Sequence, residues 1–213
     1  MAFEFFQSEF AKSSKFKWDF LTEFKEQEKW EFISNNYQKF LMKDFKIENL
    51  RKIPKIIHHI WIGNKKMPIR YKIWVNSWKK FNPDWEFIFW KDKDIQSLDL
   101  KNKKLYNSCN NPGFKSDVAR YEILNKFGGL YIDVDFECIN SIPEKLLTYD
   151  FVACTTFNSQ PEINNAILFS SPNNIFLEKI INSIKSPPKN YMFEDIFSSS
   201  GPYLLTENYF ENI

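Results

Sequence analysis

Up to residue 50 the apolar positions recur at intervals of three and four. Trp18, Leu21 and Phe24 form one such set, and Ile33, Tyr37, Phe40 and Leu41 another, with Glu and Lys between them. That spacing predicts helices with one apolar stripe. No glycine or proline interrupts the chain before Pro54, so nothing local breaks them. Beyond Pro54 short apolar runs alternate with helical stretches. Lys55–Trp61 predicts a strand closed by Gly63-Asn64. Residues 69–81 predict a helix with Ile73, Trp74, Trp78 and Phe81 facing a core, ended by Asn82-Pro83-Asp84. Trp85–Trp90 predicts a second strand. Ser116 is the expected cap of a helix burying Val118, Ala119, Tyr121, Leu124 and Phe127, with Gly128 as its left-handed C-cap. Strands are expected at Leu130–Ile132, Phe151–Phe157 and Ala166–Phe169, a helix from Pro172 to Ile184, and a last helix opened by Gly201-Pro202. The pattern predicts an α/β domain with a mostly parallel central sheet over residues 51–213, preceded by an N-terminal helical extension over residues 1–50.

Composition narrows the function classes. Lys and Arg total 29 and Asp and Glu 27, a net charge of +2 over 213 residues, so the whole chain makes no electrostatic case for nucleic acid. The basic clusters Lys65-Lys66 and Lys101–Lys104 read first as solvated faces, with phosphate steering the other reading. Cys109, Cys138 and Cys154 show no C-x-x-C spacing and leave one thiol over in any pairing, there is no N-x-Ser/Thr sequon, and the N-terminus reads as neither a leader nor a membrane span. These features together lead us to expect a cytoplasmic protein without a transmembrane segment. They say nothing about oligomeric state.

The chemistry concentrates in Lys115–Cys138. Asp133 and Asp135 lie two apart where an apolar strand ends, and on a strand such residues share a face. Two carboxylates held that close repel, and a hard divalent cation with oxygen ligands relieves the repulsion. At the carboxyl end of a strand in an open α/β sheet they border the crevice where such folds bind ligands. A metal-bound diphosphate fits that position; a solvated strand end is the plainer reading of D-x-D alone. One helix upstream, Asp117 and Arg120 are three apart and share a helical face. Arg120 there either serves sugar hydroxyls and phosphate or forms a salt bridge that fixes the helix. Adjacent His58 and His59 point to opposite faces of a strand, which favours structural roles for both. Glu137 continues the D-x-D face, as a supporting carboxylate or a solvated one.

Several ordered motifs now resemble a known family. Ile53-Pro54-Lys55-Ile56-Ile57-His58-His59-Ile60-Trp61, Ser77-Trp78, Asn82-Pro83-Asp84-Trp85-Glu86, Ser116-Asp117-x-x-Arg120, Gly128-Gly129-Leu130-Tyr131-Ile132-Asp133-Val134-Asp135, Asn165-Ala166-Ile167 and Gly201-Pro202 are similar to the DXD sugar-binding glycosyltransferases, both the Och1-like mannosyltransferases and the clostridial glucosylating toxins. The resemblance covers most of residues 53–210. It implies a GT-A fold, a nucleotide-sugar donor (a UDP-sugar favoured, GDP-mannose the alternative), Mn²⁺ or Mg²⁺, and hexose transfer with retention to a glycan or protein acceptor. It implies that Ile60 and Trp61 meet the nucleobase, although a core Trp is an equally simple reading. It further implies that Ser116, Asp117 and Arg120 contact ribose, sugar and phosphate oxygens. Tyr131 would touch the same donor or merely pack. Asp135 would ligate the metal directly, and Asp133 would reach it through water while also holding donor hydroxyls.

Family members often carry a segment beyond the Gly-Pro helix that adds a metal ligand and a lid. Because this sequence stops at Ile213, the expectation is a compact member, a lid from elsewhere, or reduced activity. Two other readings remain open here: an inactive carbohydrate- or host-binding module on the same fold, and a HAD-like phosphotransferase. The latter wants Thr or Val at position 137, where this chain has Glu.

Overall fold

The computed structural model describes residues 27–42, 51–157, 161–187 and 192–211. The stripe at Trp18, Leu21 and Phe24, and the side chain of Leu41, lie outside the described residues. Within them the chain runs α1 (Gln27–Met42), β1 (Ile56–Trp61), α2 (Ile69–Phe81), β2 (Glu86–Lys91), α3 (Asp92–Gln96), α4 (Lys103–Ser108), α5 (Pro112–Phe127), β3 (Gly129–Ile132), a 3₁₀ turn (Glu144–Thr148), β4 (Phe151–Phe157), β5 (Pro161–Ser170), α6 (Ile175–Ser183), α7 (Phe193–Ser199) and α8 (Pro202–Glu211).

The five strands form one sheet in the order β2-β1-β3-β5-β4. β1 pairs in parallel with β2 and β3, while β5 is antiparallel to both β3 and β4. Four strands therefore run one way, and β5 alone runs against them. The apolar run at Ala166–Phe169 marks only the last part of β5. Its first half alternates buried Pro161, Ile163 and Asn165 with half-buried Glu162 and Asn164, a polar-rich half-strand that a search for apolar runs misses.

Each face of the sheet covers a core. On one side Ile60, Trp90 and Tyr131 pack with Val118, Tyr121 and Leu124 of α5 and with Leu177 and Leu204. On the other, Ile57, Leu130, Ile132 and Phe169 pack with Trp78 of α2, Trp85 and Leu147. Alternation along β3 explains the split, with Leu130 and Ile132 entering one core and Tyr131 the other. Trp30 and Ile33 of α1 belong to the α5-side core, and Phe32 meets Tyr209 of α8 at 6.3 Å between ring centroids. Of the predicted α1 stripe, Ile33 enters this core and Phe40 meets the Tyr149 ring at 6.0 Å, whereas Tyr37 is 43% exposed.

Three local expectations need correction. Ser116 does not cap its helix. The Asn111 side chain accepts from the Phe114 amide at 3.1 Å and Pro112 takes the first helical position, where its missing N–H costs nothing. Likewise α6 starts after Asn174, whose side chain accepts from the amides of Phe176 and Leu177, and Pro172 precedes it. In α2 the buried residues are Val75 and Trp78, while Ile73 is 58% exposed.

The Gly128-Gly129 turn is as constrained as its sequence suggests. Both residues have positive φ, 67° and 102°. A Cβ on Gly129 would lie 2.4 Å from the Ile56 carbonyl oxygen, and one on Gly128 2.8 Å from Pro54 and Pro172. Gly128 donates to the Leu124 carbonyl, ends α5, and delivers β3 directly beside β1. Its ψ of −169° places it outside the left-handed helical region, in a conformation that is essentially glycine's alone.

Candidate active site

Trp61 ends β1, and Asp92 and Asp133 directly follow the neighbouring parallel strands β2 and β3, so all three lie at the edge at which open α/β sheets bind ligands. β3 ends at Ile132, so Asp133 and Asp135 stand just beyond the strand. The same-face argument from strand alternation therefore does not apply. What places them is a tight turn, with the Phe136 amide reaching the Asp133 carbonyl at 3.4 Å and the Asp133 amide donating to Ala166 of β5 at 2.9 Å.

Behind the turn lies a buried polar network built mostly by α5. Starting the helix at Pro112 places Ser116 and Arg120 one turn apart in its interior. Arg120 is 5% exposed. Its guanidinium donates to the Asn165 carbonyl at 2.7 Å and to Ser116 Oγ at 3.2 Å, and it pairs with Asp117 Oδ1 at 3.1 Å and Asp133 Oδ1 at 3.4 Å. Its Cζ lies 4.5 Å from the Tyr131 ring centroid, a cation–π contact. The Tyr131 hydroxyl donates to Asp133 Oδ1 at 2.5 Å and sits 3.2 Å from Ser116 Oγ. Asp117 additionally accepts from Asn165 Nδ2 and Ser200 Oγ, each at 2.9 Å.

Electrostatics follow from burial and pairing. Burial pushes the Asp117 carboxyl up, with Arg120 and Ser200 pulling the other way. Burial acts to lower Arg120, and Asp133, Tyr131 and Asp117 more than reverse it, so the guanidinium stays charged. Burial, with Asp133 adding to it, raises Tyr131 well above the usual phenol range, so its hydroxyl is a donor here. The Asp135 carboxylate is exposed, yet the protein around its base removes part of its water, and together with the charge of Asp133 this raises it.

Of the residues nominated from sequence, Ser116, Asp117, Arg120, Tyr131 and Asp133 form one hydrogen-bonded cluster. Asp135 stands beside it and makes no side-chain hydrogen bond or ion pair to another residue among the described residues. Ile60 is 5% exposed inside the α5-side core, so it could meet a ligand only through its backbone. Trp61 is half-buried, donates its indole N–H to the Lys65 carbonyl at 2.7 Å, and meets Tyr71 edge-on at 6.3 Å. It lines a cleft of about 810 Å³ together with Gly63, Lys65, Phe89 and Asp92. Glu137 is exposed and unpaired among the described residues.

The histidines are structural. His58 takes a proton on Nε2 to donate to Gly128, and its Nδ1 accepts from Trp90. His59 Nδ1 lies 2.9 Å from the Ile132 carbonyl, so it carries the proton. Burial lowers both to about 4.

Sequence reasoning missed several supporting residues. Ser200 closes the network on Asp117, and Tyr121 donates to the Ser200 carbonyl at 2.9 Å. The segment after Asp135 is pinned by Trp78, which donates to the Phe136 carbonyl at 3.0 Å, by Ser77, whose Oγ accepts from the Cys138 amide at 2.8 Å, and by Asn82, whose side chain accepts from the Ile142 amide at 2.8 Å. The Ser77-Trp78 and Asn82 motifs thus anchor the far side of the aspartate turn. Asp92 organises the cleft by accepting from the Gly63 amide, Tyr106 and Lys115. Its signal was its place, directly after a strand that runs parallel to β3.

The donor set suits a hard cation: Asp133 Oδ2 has no protein partner among the described residues, and the neighbouring Asp135 is exposed. Among the described residues no group of three or more His, Cys, Asp or Glu side chains gathers into a ligand cage.

Residues 68–152 match the family described as glycosyltransferase sugar-binding region containing DXD motif. Residues 68–152 thus carry the DXD sugar-binding region of this glycosyltransferase family. The chain is 30% identical over 167 residues to inositol phosphoceramide mannosyltransferase 1 of Schizosaccharomyces pombe, a match covering 74% of this chain and 51% of that protein. The chain thus spans about half the length of that curated relative. Among solved structures, the PaToxG glycosyltransferase superposes with a TM-score of 0.63 at 18% identity, covering 76% of this chain and 70% of its own. The catalytic domain of alpha-toxin from Clostridium novyi superposes with a TM-score of 0.58 at 12% identity, covering 97% and 79%. These likenesses establish the GT-A-type fold. The DXD-region match and this fold together set aside the phosphotransferase alternative.

Proposed function

We propose that this chain is a metal-dependent, retaining glycosyltransferase that moves a hexose from a nucleotide sugar to a hydroxyl of a glycan or protein acceptor. The observation that carries this reading is the state of the two aspartates. One oxygen of Asp133 is held by Arg120 and Tyr131, while its other oxygen and the Asp135 carboxylate stay uncommitted among the described residues at the ligand-binding edge of the sheet.

Asp135 would hold Mn²⁺ or Mg²⁺ directly and Asp133 through water. When bound, such an ion supplies Lewis-acid stabilisation of the departing diphosphate. The remaining work falls to the chain's own side chains. Arg120 and Tyr131 fix the Asp133 carboxylate in one orientation, so little reorganisation is needed during the reaction. Trp61 offers an indole face in the cleft for a nucleobase, and stacking suits it chemically. Ser116, half-buried beside Arg120, stands to meet ribose or sugar hydroxyls, while Asp117, buried with both oxygens engaged by Arg120, Asn165 and Ser200, holds the guanidinium in place. In this reading the leaving phosphate itself takes the proton of the acceptor hydroxyl, so no carboxylate nucleophile is required.

The donor is read as a UDP-sugar, and relatives named as mannosyltransferases keep GDP-mannose in the comparison. Incubating the full chain with Mn²⁺ and a panel of UDP- and GDP-sugars, while measuring released nucleoside diphosphate, tests this directly. The expected result is release from one nucleotide class, with a UDP-sugar the best donor. Donor binding without turnover would favour the inactive-module reading. Neither binding nor release would remove nucleotide-sugar chemistry altogether.

A further inference from the structure

Residues 51–83 contain nine Lys and Arg and no Asp or Glu, in a chain whose totals nearly balance at 29 and 27. The fold divides these nine into two groups. Arg51, Lys52 and Lys55, before β1, pair with Glu144, Asp150 and Asp84. Lys65, Lys66, Arg70, Lys72, Lys79 and Lys80, after β1, are all exposed and form no ion pair among the described residues. The second group surrounds an unusual helix face. Ile69 is 74% and Ile73 58% exposed. They are four apart on α2, hence one above the other, and nine residues separate Ile69 from the buried Trp78, which puts the pair on the opposite side of the helix. Lys72 and Lys80 share the isoleucine face, and Lys65 and Lys66 occupy the loop before it.

Single exposed apolar residues are ordinary on a protein surface. Two stacked isoleucines inside a ring of unneutralised cations are a different object, since they suit a partner that is both anionic and apolar. We propose that the N-terminal half of α2 and the loop before it dock on an anionic lipid bilayer, with Ile69 and Ile73 entering the boundary between head groups and acyl chains and the surrounding cations meeting lipid phosphates. A nucleic acid or acidic protein surface would satisfy the cations and leave the isoleucines in water. Lys65, Lys66, Met67 and Lys72 also line the cleft that opens at Trp61 and Asp92, so docking sets the mouth of that cleft at head-group level. The inference uses neither the donor nor the metal and stands apart from the reading of the reaction.

Sedimentation of the full chain with vesicles tests it, comparing pure phosphatidylcholine with phosphatidylcholine containing about one third phosphatidylserine at matched lipid. The chain should partition into the anionic vesicles at low salt and be released as salt rises. Ile69→Ser together with Ile73→Ser should weaken partition at least about tenfold, and each of Lys65→Gln and Lys66→Gln about fivefold. Melting temperatures near wild type would show that the variants fold, as expected for exposed positions. Equal binding to neutral and anionic vesicles, or none to either, overturns the proposal. If the isoleucine variant binds like wild type while the lysine variants do not, the face is a general polyanion patch and the lipid assignment fails. If both sets bind like wild type, the docking surface lies elsewhere on the chain, and the proposal also fails.

Discussion

Arg120→Ala should lower the melting temperature by about 10 °C, on the order of 3–5 kcal/mol for breaking a buried charge pair in a chain of this size. The cause is specific. Asp117 is 6% exposed, and burial already opposes its charge. Removing the guanidinium leaves that carboxylate with only Asn165 and Ser200, and it also frees Asp133 from one of its two restraints. Arg120→Lys should recover only part of the loss, because an ammonium cannot reach the Asn165 carbonyl, Ser116, Asp117 and Asp133 together as the planar fork does. The double variant Asp117→Asn with Arg120→Met should be more stable than Arg120→Ala, since neither partner is then stranded. Thermal denaturation of the four proteins measures all of this. A shift of less than about 2 °C for Arg120→Ala would mean that the network contributes little to the fold.

The second large effect concerns acid. His58 and His59 carry pKa values of about 4 in the folded chain, against about 6.5 for an exposed imidazole. Between those values the unfolded chain binds protons that the folded chain refuses. Their contribution is therefore complete above about pH 6.5 and is lost as pH falls toward 4. From pH 7 to pH 5 each histidine should remove about 2 kcal/mol of stability. Urea denaturation at the two pH values, on wild type and on His58→Gln with His59→Asn, measures the difference. Those replacements keep an amide donor near the Gly128 and Ile132 carbonyls without a titrating ring. The variant should lose most of the pH dependence in this window; an unchanged slope would place the acid sensitivity elsewhere.

Much of the fold was legible because local signals were strong. The strands at β1, β2 and β3 and the helix at residues 69–81 carry clear periodicity, and the two glycines mark the turn that only glycine can make there. The site was legible as a set of residues more than as a geometry. Arg120, Asp117, Tyr131 and Asp133 were nominated, yet the alternation rule offered for the aspartates ends at Ile132, one residue too early. Helix starts were misplaced for a definite reason: Asn111-Pro112 and Asn174 cap more strongly than Ser116 or Pro172 at their positions. The antiparallel course of β5 is a long-range pairing choice, and its polar first half gives no local sign of it. Ser200 and Trp78 reach the site from 83 and 58 residues away in sequence, to Asp117 and Phe136. No spacing rule connects such pairs; only the closed fold does.

Of the two readings of Arg120, the salt bridge is the one the structure shows, to Asp117 at 3.1 Å and to Asp133 at 3.4 Å. The guanidinium is buried in an ion pair and also holds the aspartate proposed to face the donor. Conserving its shape thus serves both the stability of α5 and the orientation of Asp133. This is why Arg120 variants should be judged on stability first and on turnover only after correction for folded fraction.

Asp135 is better suited to a clean test of the chemistry, because it is exposed and no other side chain depends on it among the described residues. Release of nucleoside diphosphate from the preferred nucleotide sugar should be measured with Mn²⁺, with chelator, and on Asp135→Asn with Mn²⁺. The account expects turnover by wild type, its loss on chelation, and a fall of about 10²–10³-fold in the variant at an unchanged melting temperature. Turnover by Asp135→Asn within about twofold of wild type, well short of the loss expected when a charge-stabilising group is removed, would contradict the central claim.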